Sequence, residues 1–162
     1  MWKLLQDGKR LTVQKFLFGI SAVLSKEQFN TVQHRAKTCP LFVVPLQQGN
    51  GYTSFFLQAQ MPHMLFTGLE DYKRRGTNAS PYLTVAHYTE LADSKGLVLV
   101  RGDIVFPSKL NDIQVCWDKT NGVSHSFFLH DSRFSLVEQF NEDSADFEFQ
   151  DVLRELNIPL GP

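Results

Sequence analysis

Gly49-Asn50-Gly51 separates the apolar run Leu41-Phe42-Val43-Val44-Pro45-Leu46 from a second run, Tyr52 to Gln60. Asn-Gly is the strongest short hairpin signal, because both of its residues accept the positive φ that a tight turn demands. The two runs are therefore read as neighbouring antiparallel strands, with Phe55, Leu57 and Ala59 on one face of the second. Pro45 has no N–H to give to a ladder, which places the first strand at a sheet edge. Met64-Leu65-Phe66 predicts a third short strand and Tyr82 to Tyr88 a fourth. Leu97-Val98-Leu99-Val100 is apolar towards both faces and belongs in the middle of a sheet.

Before Pro40 the period is that of a helix. Val13, Phe16, Leu17, Ile20 and Leu24 form one stripe, weakened by about 1 kcal/mol at Gly19. Ser25-Lys26-Glu27-Gln28 reads as a capping box, and Phe29, Val32, Ala36 and Cys39 extend the stripe until Pro40 stops it. Thr67 with Glu70 predicts another capping box, opening a helix through Leu69, Tyr72 and Arg75 that Gly76 terminates. A short helical turn from Glu90 to Ser94 ends at Lys95-Gly96. Leu110 to Trp117 reads as helical and Phe127-Phe128-Leu129 fits either class. Phe134, Leu136 and Phe140 alternate like a strand, and Phe149, Val152, Leu153 and Leu156 give a last helix before Pro159. The expected class is α+β: a mostly antiparallel sheet flanked by helices, with a helical N-terminal arm over residues 1–39 and an α+β domain over residues 40–162. A chain of 162 residues is long enough to bury a core without disulfides or metal.

Charge divides the chain at nearly the same place. Met1 to Asn50 carries a net +5 and Gly51 onward a net −6, with Glu138, Glu142, Asp143, Asp146, Glu148, Asp151 and Glu155 crowding the end. Such asymmetry steers partners or simply solvates a face. Lys73-Arg74-Arg75 is too short for a nucleic-acid-binding stripe and suits the end of a helix dipole. No apolar run approaches the roughly 18 residues of a membrane span. Cys39 and Cys116 have no paired spacing, which favours a reducing compartment. The N-terminus has no signal-peptide pattern, although it is basic and acid-poor as a transit segment is.

Catalytic constellations do not emerge. Gly8-Lys9 lacks the rest of a phosphate loop. His125 and His130 are five apart rather than the four that put two metal ligands on one helix face. His130-Asp131-Ser132 has the residue types of a triad, but triads are assembled from distant positions. Arg101-Gly102-Asp103 matches an adhesion tripeptide at the end of a predicted core strand, where coincidence is the simpler reading. What stands out is an aromatic surplus: 14 Phe, including the adjacent pairs Phe55-Phe56 and Phe127-Phe128. In a strand, neighbours point to opposite faces, so either helices cover both faces or one face carries an apolar patch for a partner.

These residues also carry a resemblance. Pro40 to Leu46, the Gly51 to Gln58 segment, and Leu65-Phe66-Thr67 followed by Glu70-Asp71-Tyr72-Lys73 resemble the mitochondrial ATP synthase F(1) complex assembly factors that chaperone the beta subunit. The sharpest block is His87-Tyr88-Thr89-Glu90-Leu91, then Ser94-Lys95-Gly96-Leu97-Val98-Leu99 and Gly102. Leu136 to Asn141 agrees as well, and the likeness runs from Pro40 to Leu156. It implies a non-enzymatic chaperone of the mitochondrial matrix that needs no cofactor and binds no nucleic acid. Such a factor is not inserted in the membrane and is a monomer when free. It holds the unassembled beta subunit by the apolar surface that later meets the alpha subunit, until alpha displaces it. Within the shared block Tyr88, Glu90 and Lys95 are the expected contact residues. The competing expectation is a small-molecule-binding or hydrolytic α+β domain, marked by a deep polar pocket around a His, Asp or Cys with a shifted pKa.

Overall fold

A computed structural model describes residues 19–48, 50–106 and 124–159. Six strands form one antiparallel sheet: β1 (Gly19–Ser25), β2 (Leu41–Gln48), β3 (Gly51–Gln60), β4 (His63–Gly68), β5 (Leu83–Tyr88) and β6 (Leu97–Ile104). Their order is β1-β6-β5-β4-β3-β2, so β2 to β6 run as a meander and β1 closes it on β6. Among the described residues six α-helices accompany them: α1 (Lys26–Thr38), α2 (Leu69–Arg75), α3 (Ala92–Lys95), α4 (124–129), α5 (Asp131–Glu142) and α6 (Phe149–Glu155). The fold is α+β, as read from the sequence.

The expected β2–β3 hairpin forms, with Gln48 opposite Gly51 and Val44 opposite Phe55, but its turn lies one residue before the Asn-Gly pair: Gly51 is the first residue of β3 rather than a turn residue. Pro45 lies on the edge strand, as its missing donor predicts. Ser25 caps α1 with the full reciprocal box: Gln28 N–H donates to the Ser25 hydroxyl, and Ser25 N–H donates to Gln28 Oε1. Gly96 ends α3 in the left-handed region at φ 66°, with nothing within 4 Å of where a Cβ would stand. Gly96→Ala therefore meets backbone strain and no clash. It should cost about 1 kcal/mol, read as a lowered urea midpoint at unchanged slope.

Three sequence expectations are corrected. Gly19–Ser25 is strand and not the end of a helix, because Ala22, Val23 and Leu24 pair with Val100, Leu99 and Val98 across a complete ladder. Thr67 does not cap a helix. It stays in β4 opposite Phe56, buried, and Gly68 opens α2 without a side-chain cap. The segment Phe134 to Phe140 is helical: Phe134 and Val137 are buried at helix spacing, and Leu136 lies between them at the rim of the core. Phe127 and Phe128 resolve to helix, both fully buried. The helix expected over Leu110 to Trp117 and residues 13–18 of the first stripe lie outside the described residues.

One face of the sheet carries the core. Phe42, Val44, Phe55, Leu57, Met64, Phe66, Leu83, Val85, Val98 and Val100 point to it and meet Phe29, Val32 and Ala36 of α1, Phe127 and Phe128 of α4, Phe134 and Val137 of α5, and Val152 of α6. Phe29 through Cys39 share this cluster with Phe42, so packing has no break at the expected boundary between residues 39 and 40. Rings concentrate around Phe42, whose centroid lies 4.9 Å from Phe127, 5.9 Å from Phe140 and 6.3 Å from Phe147. Arg35 locks α1 to the C-terminal helices by donating to the Phe128 carbonyl at 3.0 Å, pairing with Asp131 and standing 4.5 Å over the Phe134 ring.

Candidate partner-binding face

The second face of the sheet is treated unequally along its width. Near β2, β3 and β4 it is covered by α2, whose Tyr72 ring packs 4.1 Å from the Phe56 ring centroid to centroid, and Val43 beside Phe56 is buried with it. Tyr82 holds α2 in place by donating its hydroxyl to Asp71. Towards β5, β6 and β1 no described helix lies on this face. Alternation places Tyr88, Leu97, Leu99, Arg101 and Val23 there, on the side opposite the buried His87, Val98, Val100 and Leu24.

Register turns these into a row. Val23 is opposite Leu99 across β1 and β6, and Leu99 is opposite Tyr88 across β6 and β5. Three apolar or amphipathic side chains thus lie side by side from the edge of the sheet inwards, ending at Tyr88, which is 40% exposed. Val23 and Leu99 are themselves partly exposed. The face is rimmed by charge: Arg101 pairs with Asp103 at 2.7 Å, and Lys26 pairs with Asp93 at 2.7 Å, joining the start of α1 to α3. This bond holds the Asp93 carboxyl below and the Lys26 ammonium above their ordinary pKa values. The adhesion-like tripeptide is thereby accounted for: its two charged members pair with each other within β6.

The three expected contact residues fall at one end of this face. Tyr88 ends β5, Glu90 lies in the 89–91 turn, and Lys95 ends α3. The connection is compact, with Ala92 N–H donating to the Thr89 carbonyl at 2.9 Å and Lys95 N–H to the Leu91 carbonyl at 2.9 Å. Glu90 and Lys95 are exposed, and neither has an ion-pair partner among the described residues. The role of Val23 in the row escaped the sequence reading, because a helix assignment for residues 13–24 gave it no strand neighbour.

His87 and Cys39, two groups that a hydrolytic site could use, are otherwise occupied or buried. His87 is buried, and its Nδ1 lies 2.7 Å from the Pro62 carbonyl while its Nε2 lies 2.9 Å from His125 Nε2. A carbonyl only accepts, so Nδ1 carries the proton and Nε2 accepts from His125. Burial pushes the His87 pKa down, against the opposing pull of the Pro62 bond. Both ring nitrogens are used internally. Cys39 is buried and burial raises its thiol pKa, the opposite of an activated nucleophile. Cys116 lies outside the described residues. Among the described residues no cluster of three or more His, Cys, Asp or Glu could hold a metal ion, and no helix is long and apolar enough to cross a membrane.

A single antiparallel sheet, with most of the described helices packed on one side and α2 over part of the other, defines an α+β domain whose second face is open along β5, β6 and β1 among the described residues. Comparison with known proteins gives its family. A model of the ATP11 protein family matches residues 11–153, and the chain belongs to that family. It is 33% identical over 150 residues to Protein atp11, mitochondrial, of Schizosaccharomyces pombe, covering 86% of this chain and 52% of that protein. It is 34% identical over 147 residues to ATP synthase mitochondrial F1 complex assembly factor 1 of Danio rerio, covering 88% and 47%. The Mus musculus protein of the same name is 32% identical over 139 residues, covering 85% and 42%. The chain spans about half the length of these relatives. The names of the Danio rerio and Mus musculus proteins describe an assembly factor rather than an enzyme.

Proposed function

We propose that this chain acts in the mitochondrion as an assembly factor for the F(1)-ATPase, by binding and not by catalysis. It holds the unassembled beta subunit in the matrix, shields the apolar surface that faces the alpha subunit, and gives way when alpha competes for that surface. The chain works as a monomer without a cofactor. The observation that carries this reading is the open half-face with its Val23–Leu99–Tyr88 row, in a chain of the ATP11 family. An apolar strip rimmed by charge is the anatomy of a protein interface. A half-face left open among the described residues, rather than covered by helices, is consistent with a partner supplying the cover. Tyr88 supplies the amphipathic anchor, and Glu90 and Lys95 supply rim charge that sets orientation and association rate.

Two measurements test it. The chain should suppress aggregation of isolated beta subunit, and added alpha subunit should reverse the complex. Glu90→Lys combined with Lys95→Glu should weaken capture of beta by about 3- to 10-fold, mostly through slower association. Unchanged capture by the doubly reversed variant would remove these two residues from the interface.

A further inference from the structure

The sheet has two edges, and the chain treats them differently. Pro40 carbonyl accepts from Ala59 N–H at 2.7 Å, which fixes the alternation along β2: Phe42 and Val44 bond to β3, while Leu41, Val43 and Pro45 turn their backbone outward. That outer edge is blunted. Asn141 of α5 accepts from Leu41 N–H at 3.1 Å and donates to the Leu41 carbonyl at 2.7 Å, as a neighbouring strand would. Pro45 has no N–H to offer.

The same alternation can be fixed for β1. Lys26 N–H donates to the Gly96 carbonyl at 2.9 Å, whereas Ser25 N–H turns to the Gln28 side chain at 2.9 Å. Leu24 and Ala22 therefore bond to β6, and the N–H and C=O groups of Ser21 and Val23 point away from the sheet. Among the described residues nothing bonds to these outward groups. Gly19–Ser25 contains no proline and no charge, the devices that normally protect an exposed edge. A capping side chain comparable to Asn141 is also missing among the described residues.

We infer that the outer edge of β1 receives an extended, uncharged segment of the F(1) beta subunit, which adds to the sheet as a seventh strand. This rests on the function proposed above and locates it. Outward N–H and C=O groups on alternate residues of one strand are matched by another strand's backbone, the pairing used in β-augmentation. The added strand lies directly beside Val23, so an apolar side chain on its open-face side continues the Val23–Leu99–Tyr88 row. Backbone bonds supply affinity and the row supplies selection of an alternating apolar segment. A partner held this way also has its own edge covered, which is how a chaperone keeps a strand from aggregating.

The test uses the 162-residue chain and purified beta subunit. Ser21→Pro removes one outward donor without touching the β6 ladder, and Val23→Lys places a charge in the row at the edge. Each should weaken beta binding by about tenfold or more while the urea midpoint of the free chain moves little. Amide exchange gives a second readout that needs no substitution: the Ser21 and Val23 amides should exchange freely in the free chain and become protected in the complex. If wild type captures beta while these amides stay unprotected and both variants bind as wild type, the edge assignment is wrong and the chaperone reading stands. If wild type does not capture beta at all, the chaperone reading fails and takes this inference with it. Protection already present in the free chain overturns the inference. If that protection is lost on dilution, the occupant is a second copy of the chain. If it persists, the chain covers its own edge.

Discussion

Phe42→Ala should lower the stability of the folded chain by about 3–5 kcal/mol. Phe42 is fully buried on β2 and sits against rings from three places in the C-terminal region: Phe127 of α4, Phe140 of α5 and Phe147 in the link to α6. Removing it deletes the contact surface of all three at once, and Phe140 and Phe147, 5.0 Å apart and edge-on, cannot collapse onto the strand without losing their own geometry. Domains of this size have about 5–15 kcal/mol in total, so the variant forfeits a large part of it. Thermal unfolding should fall by roughly 6–20 °C, and the urea midpoint should drop with little change in slope. A loss below about 1 kcal/mol would mean that the C-terminal helices are not packed on β2.

The second large effect is one of pH. The His87–His125 pair joins β5 to α4, and through the Pro62 carbonyl it also fastens the turn between β3 and β4. Two facing Nε2 atoms hold one proton between them. A second proton puts a positive charge into a buried site flanked by the Phe29 ring at 5.6 Å, and His63 adds repulsion. His87 is therefore kept neutral by burial, with its pKa depressed below that of the unfolded chain. The unfolded chain binds a proton near pH 6.5 that the fold refuses, so stability is unaffected above that pH and falls below it. The slope reaches up to about 1.4 kcal/mol per pH unit for this one group. Urea midpoints at pH 7.5 and 5.5 should differ accordingly. His87→Gln should be less stable at pH 7.5 but lose less on acidification. Equal midpoints for wild type at the two pH values would show that the pair accepts the charge.

The elements legible in the sequence were those governed by local chemistry. Pro45 dictates its edge, Ser25 and Gln28 their reciprocal cap, and Gly96 its left-handed stop, because each depends on the residue itself and two or three neighbours; the Asn50-Gly51 signal located the hairpin to within one residue, Gly51 pairing with Gln48 as the start of β3. The misreadings came where a distant partner decides. Ile20 and Leu24 satisfy a helical and an alternating pattern equally well, and only the β6 ladder, closed by Gly102 and Val98, 82 and 74 positions later, selects strand. Thr67 could cap a helix or continue β4, and pairing with Phe56 decides. In α5 the helical signal lay in Phe134 and Val137, three apart, rather than in the alternation of Phe134 with Leu136. Of the candidate site, the Tyr88–Lys95 block was legible through its resemblance to the family. The row that joins Tyr88 to Val23 was not, since it exists only once three strands are in register. The His pair is likewise spatial, with 38 residues between its members.

The position of β1 in the strand order has a kinetic consequence. Strands β2 to β6 are sequential neighbours joined by connections of at most 14 residues (69–82, between β4 and β5), but β1 must wait for β6. Val100, the partner of Ala22, follows it by 78 residues, roughly 4–16 s of synthesis at about 5–20 residues per second. During that interval Gly19–Ser25 exposes both of its edges, and loop closure over such a span is the slowest contact the chain has to make. A protein of the ATP11 family thus passes through a stage in which its strand Gly19–Ser25 is an aggregation hazard, and among the described residues the final fold pairs only one side of it.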